Sequence, residues 1–250
     1  MGWNGMLAGA GFVAGAMNSI AGGGTFVTLP ALTFVGLPPT IANASSTVAL
    51  FPGTLASSWA YRSDVRPLER VGTAGLLALS LLGGLTGALL LLYTPERLFT
   101  HVIPWLLLAA TIALAWGPRL GEGLRAVGLH MGRPSLFAAQ FALGIYGGYF
   151  GGAVGLMMLA VWTVFTSTDL KSMTPLRVLM VAAANGAAVV CFAVSASVRW
   201  RETLVVMAGG IAGGYIGARA GRQLPGPVVR AVVLAITIGT TAVFFIRANG

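Results

Sequence analysis

Asn18, Ser19 and Thr25 flank the triple glycine Gly22-Gly23-Gly24, placing amide, hydroxyl and backbone donors in one short stretch of an otherwise apolar sequence. Such donors, with no carboxylate beside them, suit an oxyanion. Residues 9–39, GAGFVAGAMNSIAGGGTFVTLPALTFVGLPP, read as an apolar helix that breaks at Asn18-Ser19-Ile20-Ala21 and resumes at Thr25. It stops before Gly36-Leu37-Pro38-Pro39. In lipid, freed backbone groups are tolerated only where they are buried in protein or line a wet cavity. A helix that restarts after the glycines aims its N–H groups and positive dipole end into that cavity, which favours an anion. The competing reading is a tight turn in which glycine only lets two helices approach closely.

Three further groups of residues have the same dual character. Asn43, Ser45, Ser46 and Thr47 form a polar cluster where a spanning helix would carry apolar residues. They suit either an anion site or capping and gluing of helices. In the second half, Gly148, Gly151, Gly152 and Gly155 would supply backbone N–H groups around a matching break. Tyr146 and Tyr149 beside it are ligand donors or interfacial anchors. Asn185 lies deep in an apolar run and needs a partner. Arg177 follows Pro175 at the start of a spanning run. It would either neutralise an anion through bidentate hydrogen bonds or snorkel to the cytoplasmic surface.

What the chain lacks narrows the chemistry. None of Asp64, Glu69, Glu96, Glu122, Asp169 and Glu202 falls at the middle of a span, so no carboxylate proton relay is expected. His101 and His130 sit near helix ends or in a connector. Cys191 is the only cysteine, which excludes an intrachain disulfide, and no Cys/His cluster suggests a metal or other cofactor. No nucleophile with an adjacent base, no paired acids and no phosphate loop is present, so an enzyme is not expected.

The elements that must hold these residues are membrane helices. Of 250 residues, 56% are hydrophobic and 8% charged, against about 25% charged in soluble domains. The net charge of +9 does not point to nucleic acid, because the arginines lie between apolar runs. No basic n-region opens the chain, so no cleaved signal peptide is expected. Runs at 41–61, 71–93 and 98–116 are each long enough to cross the hydrocarbon core. A polar connector (117–134) separates them from an interrupted run at 135–165 and spans at 176–198, 203–218 and 228–246. The expected organisation is a transmembrane repeat over 1–116, a cytoplasmic connector over 117–134 and a second repeat over 135–250.

A shift of 133 residues pairs Gly15 with Gly148, Gly22 with Gly155, Gly53 with Gly186 and Gly84 with Gly217. The same shift aligns Val65-Arg66-Pro67-Leu68-Glu69 with Val198-Arg199-Trp200-Arg201-Glu202, and also aligns the two broken helices. If each break is a re-entrant hairpin, eleven of the 15 lysines and arginines share one face, and both termini lie outside. Each half then crosses three times, and the second is inverted relative to the first. The fold class expected is an all-α polytopic membrane protein of two inverted repeats, each with a broken first helix pair and three spanning helices.

The run G-x-x-A-G-x-x-N-S-x-A-G-G-G-T-x-x-T-L-P-x-L at residues 11–32, then G-L-P-P and A-N-A-S-S-T, resembles the sulfite exporter TauE/SafE family. So does G-x-Y-G-G-Y-F-G-G-A-V-G-L-M-M at 144–158. The resemblance covers nearly the whole chain. It implies a carrier of sulfur-containing anions such as sulfite or organosulfonates, in the direction of export, in the bacterial inner membrane. Arg177 also resembles the place where many members carry a basic residue. The partners expected are a small anionic substrate and the lipid bilayer, with a coupling ion and homo-oligomerisation left open. An anion channel, a carrier for a non-sulfur organic anion and a membrane assembly protein are the alternatives.

Overall fold

The computed structural model describes residues 2–20, 22–68, 71–126, 132–166, 168, 170–221 and 226–249. Ten helices follow one another: α1 (Asn4–Ile20), α2 (Thr25–Phe34), α3 (Pro39–Ala60), α4 (Thr73–Tyr93), α5 (Glu96–Ala126), α6 (Arg133–Tyr149), α7 (Val154–Phe165), α8 (Leu170–Val194), α9 (Trp200–Gly221) and α10 (Gly226–Asn249). The described residues contain no strand, only an isolated bridge between Leu68 and Val71. Proline opens two of these helices, at Pro39 and Pro134, where its missing N–H costs nothing. Gly36, at φ +92, ends α2. That turn lets the Leu37 N–H reach back to Leu32 O at 3.2 Å. α5 runs through Trp116 to Ala126, so the first ten residues of the stretch read as a connector are helical.

Both broken segments are antiparallel hairpins. Trp3 at the start of α1 stacks edge-on against Phe34 at the end of α2, with ring centroids 5.4 Å apart. In the second hairpin, Trp162 Nε1–H of α7 donates to Gln140 Oε1 of α6 at 2.9 Å. Gln140 Nε2–H in turn donates to Ser80 Oγ of α4 at 2.8 Å, so this buried polar group is satisfied inside an apolar core. Pro30 cannot donate to Phe26 O within α2, and Thr240 Oγ1–H of α10 does so instead at 3.0 Å.

Each hairpin lays its first helix on a helix of the other half through glycine. α1 packs on α9, where a Cβ at Gly15 would lie 2.0 Å from Gly210 O, and one at Gly213 would lie 1.8 Å from Phe12 O. α6 packs on α4, where a Cβ at Gly148 would lie 2.0 Å from Gly84 O, and one at Gly87 would lie 2.0 Å from Ile145 O. Only glycine permits such backbone approach, the common device of helix packing in lipid. Contacts advance together along both partners, from Ala8 on Gly209 to Ser19 on Gly217 and from Phe141 on Gly83 to Ile145 on Gly87. The paired helices therefore run parallel.

These seams correct the repeat alignment. Gly83-Gly84-x-x-Gly87 of α4 and Gly209-Gly210-x-x-Gly213 of α9 occupy equivalent seams, which is a shift of 126, not the 133 that pairs Gly84 with Gly217. The loop between α3 and α4 is seven residues longer than that between α8 and α9, which accounts for the slip. Val65 to Leu68 accordingly lie in a loop, whereas Trp200, Arg201 and Glu202 form the first turn of α9.

Among the described residues three helices are long and apolar enough to cross a membrane: Thr73–Tyr93, Glu96–Gly117 and Lys171–Val194. α3 is not among them, its sequence carrying the buried polar run Asn43, Ser45, Ser46 and Thr47. Large apolar side chains face outward all round, including Trp59, Trp105, Val194 and Ile246. The core lies beneath, built around Phe26, Phe99, Phe150 and Phe192 in one cluster and Leu76, Met158, Trp162 and Met180 in another.

Candidate functional site

The tips of the two hairpins meet at a cavity of about 690 Å³. Its walls come from α1, α3, α8 and α9, and its inner end from the two breaks. The volume falls within the ~300–1,000 Å³ of small-molecule sites. The cavity lies to one side of the molecule. It touches α3 only from Thr47 to Ala60, α8 only from Arg177 to Asn185, and α9 only from Gly210 to Tyr215.

At the first break Gly22 and Gly23 adopt φ +84 and +87, a backbone shape that side chains resist. Asn18 Oδ1 accepts the Gly24 N–H at 3.0 Å and so caps the incoming α2. The Gly22 N–H donates to Met17 O at 3.0 Å. Gly23 and Thr25, which both line the cavity, keep backbone N–H groups without an acceptor among the described residues. Ser19 also lines the cavity, although its hydroxyl donates to Ala16 O at 2.8 Å.

The second break is built on Gly151 at φ +75 and on Ala153 at φ +57, a left-handed alanine. A non-glycine residue in that region is uncommon and marks a constrained site. The N–H groups of Phe150 and Gly151 turn back to Tyr146 O. Those of Ala153, Val154 and Gly155, all cavity residues, have no acceptor among the described residues. Five residues at two helix starts whose N–H groups have no acceptor among the described residues therefore line one space, and oriented N–H groups at helix starts stabilise negative charge.

Arg177 supplies the charge. It is the only charged side chain among the described lining residues, and no carboxylate pairs with it there. Its stem lies on the second break, with Cδ 3.3 Å from where a Cβ of Gly155 would sit. Asn185, two turns further along α8, lines the same wall and has a buried Oδ1 without a partner. Thr47 closes the inner end from α3, its Oγ1 3.2 Å from the Cβ position of Gly151.

Of the residues singled out in the sequence, the structure brings Asn18, Ser19, Gly22, Gly23, Thr25, Thr47, Gly151, Gly155, Arg177 and Asn185 to this cavity. Others lie elsewhere. Asn43 is fully buried and donates through Nδ2 to Tyr149 O at 2.9 Å. Ser45 Oγ accepts the Arg199 N–H at 3.1 Å, and Ser46 hydrogen-bonds Thr28. These three bind the start of α3 to its neighbours, on the side away from the cavity. Gly148 is spent on the α4 seam, Gly152 packs on the Phe150 ring, and Gly24 is capped by Asn18. Tyr146 and Tyr149 donate to Leu106 O and Thr94 Oγ1. Ala21, Glu69, Arg70, His130, Asp169 and Arg222 lie outside the described residues.

Sequence reasoning missed Thr54, Ser57, Ala153 and Tyr215 as lining residues. One signal was available. Thr47, Thr54 and Ser57 recur at helical spacing, with Leu50 between them, and mark one face of α3 with hydroxyls.

An all-helical fold with an apolar exterior, around a largely apolar cavity that carries one arginine, defines an integral membrane protein. The family model for the sulfite exporter TauE/SafE family matches residues 7–244, and the chain belongs to that family. It is 28% identical over 232 residues to a probable membrane transporter protein of Haemophilus influenzae, covering 93% of this chain and 90% of that protein. It is 25% identical over 239 residues to the probable membrane transporter protein YfcA of Escherichia coli K12, covering 95% and 88%. A probable membrane transporter protein ORF9 of a Sinorhizobium species is 25% identical over 234 residues, covering 92% and 87%. No solved structure matches the chain.

Proposed function

We propose that this protein is a secondary carrier that exports a small sulfur-containing anion, sulfite or an organosulfonate, across the bacterial inner membrane by alternating access. The observation that carries the reading is the cavity itself. One arginine and five residues whose N–H groups have no acceptor among the described residues line it, and none of its described lining residues is acidic. The family adds the expectation of a sulfur oxyanion.

Arg62, Lys171 and Arg219 lie beside the end of α3, the start of α8 and the end of α9, on the face that carries eleven of the 15 basic residues when both hairpins re-enter. The positive-inside rule makes that face cytoplasmic and both termini external. The cavity then opens inward. The parallel seams of α1 on α9 and α6 on α4 fit two halves inverted about the site, the plan of alternating-access carriers.

A channel would need a continuous wet path. Here the start of α3 is tied to Tyr149, Arg199 and Glu96 beyond the cavity, which favours a carrier closed on one side. Purified protein in liposomes should take up labelled sulfite or sulfoacetate with saturable kinetics. Flux that rises linearly without saturation would fit a channel, and no flux with any sulfur anion would remove the proposed cargo.

A further inference from the structure

We propose that the empty cavity does not close over Arg177, so that the protein exchanges one anion for another rather than releasing its cargo in net flow. The inference rests on the carrier reading and concerns what that carrier does when nothing is bound. Apart from the Asn185 Oδ1, the cavity groups without a partner among the described residues have the same sense. Arg177 is a cation with no carboxylate partner among the described residues, and the N–H groups of Gly23, Thr25, Ala153, Val154 and Gly155 are donors without acceptors.

In the open state water serves them all. Closure around an empty site strips that water and leaves a lone charge and a ring of orphan donors in a low dielectric. The stem of Arg177 lies against the second break, with Cδ 3.3 Å from the Cβ position of Gly155. The wall offers no substitute counter-charge, since its remaining polar side chains are neutral. A bound anion removes both costs at once, supplying negative charge to Arg177 and lone pairs to the N–H groups. Closure is thus conditional on an occupant in each direction. Export of the cargo then proceeds against entry of a second small anion.

Two measurements test this. In liposomes holding labelled sulfite, with potassium and valinomycin clamping the potential, efflux into a sulfite solution should exceed efflux into potassium polyglutamate by about tenfold or more. Equal rates would overturn the proposal. The second measurement needs no cargo. In a Cys191→Ser background, Ser57→Cys places a thiol on the cavity wall, and its labelling rate is followed in potassium polyglutamate with Arg177 present or replaced by Arg177→Gln. The neutral cavity should close unaided, slowing labelling by about threefold or more. Identical rates in the two backgrounds would refute the exchange model. If sulfite fails to move in either medium, the sulfur-anion reading falls and the labelling comparison still decides the exchange.

Discussion

On the proposed reading, Arg177 and the five N–H groups would divide the work of holding an anion between a full charge and oriented dipoles. Truncating the charge removes the stronger part. Arg177→Ala should weaken binding of the anion by about tenfold or more, in line with the ~1.5–3 kcal/mol of hydrogen bonds to charged groups. Titration calorimetry reads this directly, and an unchanged affinity would return Arg177 to a purely interfacial role. Gly23 tests the dipoles. At φ +87 a side chain is strained even though a Cβ there would make only ordinary contacts, with the Phe26 ring at 3.4 Å and Met17 Cε at 3.7 Å. Gly23→Leu should therefore leave the protein inserted while abolishing transport, and full transport by that variant would move the site away from the first break. Much of this was legible in the sequence, because polar residues beside glycine in an apolar run have few places to go. The misassigned ones, Asn43, Ser45 and Ser46, look the same in linear order. Their partners, Tyr149, Arg199 and Thr28, are brought to them only by the fold.

Helices here are held by two devices, backbone seams and buried polar ties. The α1–α9 seam has no slack at Gly213, where any Cβ would collide with Phe12 O. Gly213→Val should lower the melting temperature markedly or prevent folding, whereas Gly53→Ala, with open space at its Cβ, should not. A thermal melt in detergent compares them. Trp162→Phe keeps the ring packing but strands Gln140 Oε1 in a buried core, at a cost of about 1–3 kcal/mol. A melt of that variant indistinguishable from the parent would mean that Gln140 finds another donor. The breaks and the three long apolar helices at Thr73–Tyr93, Glu96–Gly117 and Lys171–Val194 could be read from apolar runs and glycine. The register of α9 against α4 could not, because a seven-residue difference in loop length shifts the repeat without altering the pattern on either helix.

Taken whole, the molecule is a pair of hairpins exchanged between two halves, each anchored on the other half's glycine-rich helix, with the cavity where their tips meet. That architecture accounts for the distribution of polarity. The start of α3 is tied down by hydrogen bonds to Tyr149, Arg199 and Glu96, and its C-terminal half lines the cavity. A cysteine at Ser57 should therefore react with an impermeant thiol reagent from the cytoplasmic face of oriented vesicles and far less from the outer face. The reverse asymmetry would invert the topology. The central claim is that this cavity binds a small sulfur-containing anion through Arg177 and the two breaks. It is tested most directly by thermal shift of the purified protein with sulfite, thiosulfate, sulfate, sulfoacetate, taurine and carboxylate controls, alongside Arg177→Ala. The account predicts a concentration-dependent rise in melting temperature with at least one sulfur anion, lost in the variant. No shift with any of them, or an equal shift in both proteins, would contradict it.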